Sequence, residues 1–314
     1  MPETEVDLTV ELTGQAHVPA VSVCVPLYNK ETFVGRTIAS LLAQTFTDFE
    51  LVVLENASTD GSLEMVRGFD DPRIVLVRSS STVPMIENYN RIVGLARAPL
   101  IKVINADDQL EPTALERQVA VLESDPDVAM VTCRQSIIDE NDEVFARGHC
   151  LRTPDLIGRQ DRATVVRRVV RHGSNPIGNP GNVLFRRAAF DACGGFRAHP
   201  FVGDVGLWVE LVRHGHYYGI PEDLAVFRCA PMSHSTSTRA ANIVAQRRFI
   251  HSVMRTHRDV VRPRDRILSV LRIPVTVLGS QVFFSASTGA GSLPHRLATR
   301  VMAARNRPAA HHPA

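Results

Sequence analysis

Short runs of branched apolar residues alternate with amphipathic segments over the first 135 residues of the chain. The runs VSVCVP, FELVVLEN, RIVLVRS, LIKVIN and VAMVTCRQ predict five strands. The segments between them place apolar residues at helical spacing, and ETFVGRTIASLLAQT is the clearest example. Strands that alternate with helices of about three turns are typical of βαβ units. We therefore predict an α/β fold with a doubly wound, mainly parallel sheet in this half.

The regular alternation ends near Gln135, and the pattern of the second half is different. IIDENDEVFARG predicts a hairpin that turns at residues 140–142, RATVVRRVVRHG a short basic helix, and VGDVGLWVELVRHG a further helix. We expect an irregular layer built over the edge of the first half. The predicted divisions are a flexible leader at 1–20, a first half at 21–135, a second half at 136–237, a helical extension at 238–300 and a disordered tail at 301–314.

The helical extension contains an uncharged run from Ile273 to Ser287. This run is shorter than the roughly 20 residues of a spanning helix, and Pro274 interrupts it, so we do not expect it to cross a membrane. Two interpretations stay open. The segment is either a basic amphipathic patch in contact with a membrane surface, or a helix that covers the sheet.

Composition narrows the class of protein and its compartment. Hydrophobic residues make up 44% of the 314-residue chain and charged residues 22%, as in ordinary globular proteins. The formal net charge of +2 gives no reason to expect a nucleic-acid partner. The five cysteines are scattered, without CxxC spacing, and the acidic N-terminus lacks the apolar core of a secretory signal. We expect a cytoplasmic protein, at the inner face of the membrane if the basic patch binds there.

Polar side chains follow three of the predicted parallel strands at the point where each strand ends. The three groups are Pro26-Leu27-Tyr28-Asn29, the run from Glu55 to Asp60, and Asn105-Ala106-Asp107-Asp108. Each group alone could be an ordinary turn or helix cap. Ligands of doubly wound sheets bind beyond the carboxyl ends of the strands. Three such groups together therefore predict a ligand site in one crevice.

Asp107 and Asp108 indicate the kind of ligand. Two adjacent carboxylates without a nearby Cys or His favour a hard divalent cation, Mn²⁺ or Mg²⁺. Such a cation keeps open positions that a diphosphate can fill. The sequence has no GxxxxGK[ST] loop and no GxGxxG fingerprint, which argues against a P-loop NTPase and a dinucleotide oxidoreductase.

Several motifs occur in an order and spacing that is typical of one protein family. VSVCVPLYN, FELVVLENASTDGS, the Asp-Asp pair and ACGGF followed by VGDVGLWVELVRHG resemble the family 2 glycosyltransferases over about residues 20 to 230. These are bacterial-type inverting enzymes of GT-A fold. The resemblance implies a metal-dependent hexosyltransferase of the kind found in polysaccharide biosynthesis. Its donor would be a UDP- or dTDP-sugar, bound by residues 21–135. Its acceptor would be a hydroxyl of a glycan, a lipid-linked intermediate or a natural product, bound by residues 136–237.

The resemblance also implies roles for individual residues. Asp204 matches the general base, which deprotonates the acceptor hydroxyl in a single displacement. The nucleotide-sugar-binding residues would be Pro26, Tyr28, Asn29, Glu55, Asn56, Asn88, Asn90, Lys102, Asn105 and Asp107. The metal ligands would be Asp107, Asp108 and His234, although a lone histidine is also commonly structural. The acceptor-binding residues would be Gly181, Asn182 and Trp208.

Some positions leave alternatives open. Asn56, Asn105 and Gly203 stand where the family usually has acids, which motivates a degenerate protein that binds nucleotide sugars or acts as a scaffold. A sugar nucleotidyltransferase is disfavoured, because no glycine- and Lys/Arg-rich loop follows the first strand. Lys102 lies inside a predicted buried strand, where it would contact the diphosphate or Glu55 unless the strand is an edge with a solvated lysine.

Overall fold

The computed structural model describes residues 7–13, 16–197, 203–229 and 239–287. The strands are β1 (Leu8–Thr13), β2 (Val21–Leu27), β3 (Phe49–Glu55), β4 (Ile74–Ser79), β5 (Leu100–Val103), β6 (Gln109–Leu110), β7 (Val128–Ile138), β8 (Val144–His149), β9 (Gly158–Gln160), β10 (Leu184–Arg186) and β11 (His216–Arg228). The helices are α1 (Glu31–Leu42), α2 (Ser62–Arg67), α3 (Met85–Leu95), α4 (Ala114–Ser124), α5 (Arg162–His172), α6 (Arg187–Cys193), α7 (Gly203–Leu211), α8 (Arg239–Thr256) and α9 (Pro263–Ser287).

The first half is the predicted parallel, doubly wound sheet. Strands β4, β3, β2 and β5 are neighbours in that order and pair in parallel. All seven residues of β3 are buried, and alternate side chains enter two different cores. Val52 and Leu54 pack on one side of the sheet, whereas Leu51 and Val53 pack on the other. An α/β sheet covered on both faces explains why its strands are apolar throughout.

The direction of winding changes between β2 and β5. The chain runs outward from β2 through β3 to β4, then returns to place β5 on the other side of β2. The connections that leave the carboxyl ends of β2 and β5 therefore separate. A crevice opens at such a switch point, where ligands of α/β sheets bind.

The second half continues the same sheet. Strand β10 pairs antiparallel with both β5 and β7, β11 runs parallel to β7, and β6 follows at the end. The predicted boundary at residue 135 falls inside β7, so the expectation of an irregular layer over the sheet's edge is wrong for these strands. The hairpin of β7 and β8 is confirmed, as are the helices α5 and α7.

The N-terminal segment also differs from the expectation of a flexible leader. Strand β1 pairs antiparallel with β4, with Leu8 opposite Ser79. Strand β1 therefore covers the edge of β4 at one end of the sheet. The predicted tail at 301–314 lies outside the described residues.

Lys102 lies in β5, an inner strand between β2 and β10, so the alternative of an edge strand with a solvated lysine is wrong. Its side chain is fully buried, and Nζ donates to the carbonyl oxygens of Gly181 at 2.8 Å and Val183 at 3.4 Å. Burial lowers the pKa of Lys102 to about 8. The Glu55 carboxylate has other partners, the Ser58 N–H and Arg78. The lysine therefore joins the sheet to the turn at 180–182.

Candidate active site

Residues 105–108, called here the acidic turn, follow β5. Asp107 and Asp108 are buried, with exposed fractions of 8% and 3%. One oxygen of Asp108 accepts the Arg228 backbone N–H at 2.9 Å, and the other accepts the Asn105 side-chain amide at 2.9 Å. Asp107 Oδ2 lies 2.5 Å from Lys30 Nζ. The two carboxylates are therefore held separately, and each keeps partners that favour its negative charge.

The electrostatics of this pair suit a cation. Burial, and then the charge of Asp107, raise the pKa of Asp108 to about 8. Two carboxylates brought together in a buried place repel each other, and a divalent cation with oxygen ligands relieves that repulsion. Within the described residues no group of three or more His, Cys, Asp or Glu side chains is placed to hold a metal. The two aspartates are thus the candidate ligands, since His234 lies outside the described residues.

Asp204 stands at the start of α7, where a carboxylate is favoured by the helix dipole. Its Oδ2 accepts the Asn175 side-chain amide at 2.8 Å, and its Oδ1 accepts the Val205 N–H at 2.7 Å. Burial raises the pKa of Asp204 to about 6. The preceding Gly203 packs on α3, because a Cβ at that position would lie 2.8 Å from Ile86 Cδ1. An acid at position 203 would need Ile86 to move.

Tyr89 of α3 lies beside the acidic turn. Its hydroxyl donates to Asn105 Oδ1 at 2.5 Å. The pKa of Tyr89 is raised above its ordinary value by burial and then by the charges of Asp107, Asp108 and Asp204. Tyr89 was not among the predicted site residues. Its only signal was its place between Asn88 and Asn90 on a predicted helix.

The ends of β2 and β3 are tied together beside this crevice. Asn29 has a positive φ of 49°, its N–H donates to Ser58 Oγ at 3.1 Å, and its Oδ1 accepts the Thr59 N–H at 2.8 Å. Tyr28 is 45% exposed, while Pro26 is half-buried within β2. Tyr28 therefore offers an exposed ring at the end of β2. Asn29 holds the loop at 58–59, which follows Glu55 at the end of β3.

Two asparagines predicted to bind the donor instead fasten loops. The Asn56 amide donates to the Val83 carbonyl and accepts the Val83 N–H, both at 3.0 Å. The Asn90 amide does the same with Phe196, at 2.9 Å and 2.8 Å. Because both ends of each amide are engaged, their assignment to donor contacts is corrected to a structural one. Asn88 is buried in α3, and its Oδ1 has no hydrogen-bond partner among the described residues.

The residues predicted to contact the acceptor are inside the protein. Trp208 is fully buried, and its indole N–H donates to the Gly178 carbonyl at 3.0 Å. Asn182 is 1% exposed and its amide donates to the Cys133 carbonyl at 2.8 Å. Gly181 is also buried, with its carbonyl on Lys102. The prediction was wrong for all three, because the turn at 180–182 and the Trp208 side chain of α7 are both packed inside the protein.

Comparisons with known proteins show to which family this chain belongs. The family described as Glycosyl transferase family 2 matches residues 22–194. An uncharacterized protein of Mycobacterium tuberculosis is 31% identical over 240 residues, which cover 74% of this chain and 72% of that protein. EpsE of Bacillus subtilis is 25% identical over 234 residues, covering 69% and 78%. The fold, the crevice and these matches define a glycosyltransferase. The chain belongs to glycosyl transferase family 2, as its motifs indicated.

Solved structures confirm the predicted GT-A fold. The mannosyltransferase PcManGT from Pyrobaculum calidifontis, in complex with GDP-Man and Mn²⁺, has a TM-score of 0.54 at 21% identity, covering 96% of this chain and 85% of that one. S. aureus TarS 1–349, in complex with UDP-GlcNAc, has a TM-score of 0.56 at 15% identity, covering 86% and 81%. At these identities the likeness concerns the fold alone.

Proposed function

We propose that this chain is a metal-dependent inverting glycosyltransferase that moves a sugar from a nucleoside diphosphate to an acceptor hydroxyl. One observation carries the proposal: helix α3 contacts both acidic groups. Its Tyr89 donates to Asn105, which in turn bonds Asp108, and its Ile86 packs on Gly203 next to Asp204. We infer that a carboxylate pair suited to a cation and a separate carboxylate suited to proton transfer face one crevice at the switch point of the sheet. Inverting transfer needs both and no covalent nucleophile.

Asp204 is the proposed general base. Its pKa of about 6 leaves it ionised at neutral pH, yet more basic than an ordinary aspartate. The Asn175 amide and the Val205 N–H hold both carboxylate oxygens, so the side chain is oriented before the acceptor arrives. In the proposed step, the acceptor O–H bond gives its proton to Asp204 while the oxygen forms the new bond to the anomeric carbon. The bond from that carbon to the diphosphate breaks with inversion.

Asp107 and Asp108 would hold the cation, Mn²⁺ or Mg²⁺. When bound there, it offsets negative charge on the leaving diphosphate. Lys30 supplies a second positive charge at the same place, since its ammonium contacts Asp107. The two hard carboxylates fit such a cation.

For the donor, we propose a UDP- or dTDP-sugar, bound between the exposed Tyr28 ring and the acidic turn. The structural neighbours were solved with UDP-GlcNAc and with GDP-Man, so GDP belongs in the same test. The acceptor would be a hydroxyl of a glycan, a lipid-linked intermediate or a natural product.

Titration calorimetry with UDP, dTDP and GDP, each with and without Mn²⁺, tests this proposal. We expect at least one nucleotide to bind, and to bind more tightly with Mn²⁺. A screen of the matching nucleotide sugars should then release nucleoside diphosphate. If no nucleotide binds, or if Mn²⁺ changes nothing, the proposed donor site is wrong.

A second candidate is a protein that binds nucleotide sugars without turning them over. It is favoured by Asn56, which fastens a loop where the family has an acid. The same experiments separate the two candidates. Tight binding of a nucleotide sugar without release of diphosphate, for every acceptor class tried, would support the second.

A further inference from the structure

Helix α9 exposes large apolar side chains to solvent. Ile267, Val270 and Leu271 are 63%, 67% and 66% exposed, and Leu268 is 41% exposed. At 100° per residue these side chains share one broad face of the helix. Most other exposed apolar side chains of the described residues stand singly, so this group on one helix needs an explanation.

The opposite face of α9 is held to the protein largely by polar groups. Asp265, Ser269 and Ile273, spaced four apart, are buried. Asp265 forms ion pairs with Arg171 at 2.5 Å and with Arg167 at 3.9 Å, both on α5. Ile273 adds an apolar contact with the core. One face of α9 is thus fixed by ion pairs and this apolar contact, while the other leaves four large apolar side chains exposed.

Arginines border the exposed apolar face. Arg266 and Arg272 lie on its two sides, Arg264 lies in the first turn, and all three are exposed. Residues 239–287 contain nine arginines, no lysine and two aspartates. Of the two aspartates, Asp265 is buried and Asp259 is paired with Arg162. This segment therefore carries a large excess of positive charge, and the arginines of α9 lie next to its exposed apolar face.

We propose that this face of α9 binds the surface of an anionic lipid bilayer, with the helix lying in the plane of the interface. Apolar side chains on such a helix enter the boundary between headgroups and acyl chains, and flanking arginines contact lipid phosphates. Within the described residues no helix is long and apolar enough to cross a membrane. A nucleic acid would satisfy the arginines but leave the apolar side chains in water.

The position of α9 connects this surface to the candidate site. Helix α5 packs against both α9 and α7, and α7 begins with Asp204. Docking would therefore hold the crevice close to acceptors that are anchored in the membrane. That consequence rests on the proposed function, whereas the docking itself does not.

Vesicle flotation with the full chain tests the proposal. We expect binding to vesicles of phosphatidylglycerol and phosphatidylcholine, weaker binding to phosphatidylcholine alone, and loss of binding at high salt. The triple variants I267S/V270S/L271S and R264Q/R266Q/R272Q should each bind about tenfold more weakly or worse. The matched controls Val144→Ser and Arg117→Gln, also exposed but on other elements, should bind like the wild type.

A second readout reports contact directly. The described cysteines, which are all five in the chain, are buried, so a fluorophore on Leu271→Cys would label the α9 face selectively. Its emission should shift to the blue on anionic vesicles, and the same label on Val144→Cys should not respond. Circular dichroism melts verify that the variants fold. Equal flotation of wild type and both triple variants would overturn the proposal. The proposal would also be overturned if the wild type did not bind vesicles and instead formed a dimer that I267S/V270S/L271S disrupts.

Discussion

Asn105 is placed between two groups that only an amide can serve together. It accepts a hydrogen bond from Tyr89 and donates one to Asp108. An aspartate at this position could accept from Tyr89 but could not donate to Asp108. It would instead add a third negative charge beside a carboxylate whose pKa is already about 8. The amide therefore stabilises the acidic turn in the absence of a metal.

We expect Asn105→Asp to exchange stability for metal affinity. Without metal, the loss of the hydrogen bond to Asp108, together with an added buried carboxylate, should lower the free energy of unfolding by about 2 kcal/mol. With Mn²⁺, a third carboxylate should tighten binding about tenfold. Thermal melts and calorimetry measure the two effects, with Asn105→Ser as the neutral control. Unchanged Mn²⁺ affinity would show that position 105 does not face the cation.

Asp204 predicts a dependence of activity on pH. A general base acts only when it is ionised, so the transfer rate should fall as the pH drops below about 6. Asp204→Asn should reduce kcat by about 10² to 10⁴ while nucleotide binding persists. A kcat profile between pH 5 and pH 8 measures this. Wild-type activity in Asp204→Asn would show that another group is the base.

The same residue predicts a dependence of stability on pH. The pKa of Asp204 is raised from 3.8 to about 6 in the folded state, so the folded protein binds this proton more tightly than the unfolded chain. Asp204 therefore adds stability below pH 4 that is lost as the pH rises through 6. The melting temperature of the wild type, measured relative to Asp204→Asn, should rise between pH 7 and pH 4. An unchanged difference would contradict the raised pKa.

At the scale of elements, Arg228 joins three parts of the fold. It lies at the end of β11, is 1% exposed, and donates to the Asp107 carbonyl at 3.0 Å. It also donates to the Asp139 carbonyl at 2.7 Å and to Asp142 at 2.5 Å, in the hairpin of β7 and β8. Its guanidinium lies 4.7 Å from the Phe33 ring of α1. The acidic turn is thereby fixed to the hairpin and to α1.

Arg228→Met should destabilise the protein by about 3 kcal/mol, because the buried Asp107 carbonyl loses its side-chain donor and the hairpin loses its contacts with the guanidinium. It should also weaken Mn²⁺ binding, since the acidic turn loses its support. Arg36→Met is the matched control. Arg36 contacts the same Asp142 carboxylate from an exposed position, so its loss should cost less than about 1 kcal/mol. Equal effects of the two variants in urea unfolding would contradict this role.

Elements with their own local signal could be predicted from the sequence. Strands β2 to β5 and the helices between them have the apolar runs and helical spacing of βαβ units. Strand β11 was missed, because Pro221, Glu222 and Asp223 interrupt its apolar pattern and its register shifts there. Strands β6 and β9 have two or three residues each and form only through partners that are distant in the sequence, so no local pattern predicts them.

The same limit applies to the candidate site. Asp107 and Asp108 could be found because they end a strand, and Asp204 because of its motif. The structural role of Asn90 depends on its hydrogen bonds with Phe196, and that of Trp208 on its hydrogen bond with Gly178. Both partners are distant in the sequence. No local pattern reveals such contacts.

At the scale of the molecule, one sheet passes through both halves. Strand β10 connects β5 of the first half to β7, and β7 pairs with β11 of the second. The proposed site takes Asp107 and Asp108 from one half and Asp204 from the other. Neither half alone contains all of the proposed residues.

We therefore expect the described core to unfold as one cooperative unit. Scanning calorimetry should show a single main transition, with calorimetric and van't Hoff enthalpies in agreement. Mn²⁺ together with a bound nucleotide should move that transition as a whole to higher temperature. Two separate transitions, only one of which responds to nucleotide, would show that the halves fold independently.

Trp208 is the only tryptophan of the chain, and it contacts the loop at 175–178, which also holds Asp204. The Gly178 carbonyl accepts hydrogen bonds from the Trp208 indole and from the Asn175 amide, which also holds Asp204. Any movement of that loop changes the environment of a single natural fluorophore. Its emission should therefore report acceptor engagement in the unlabelled wild-type protein, in real time and without a coupled assay.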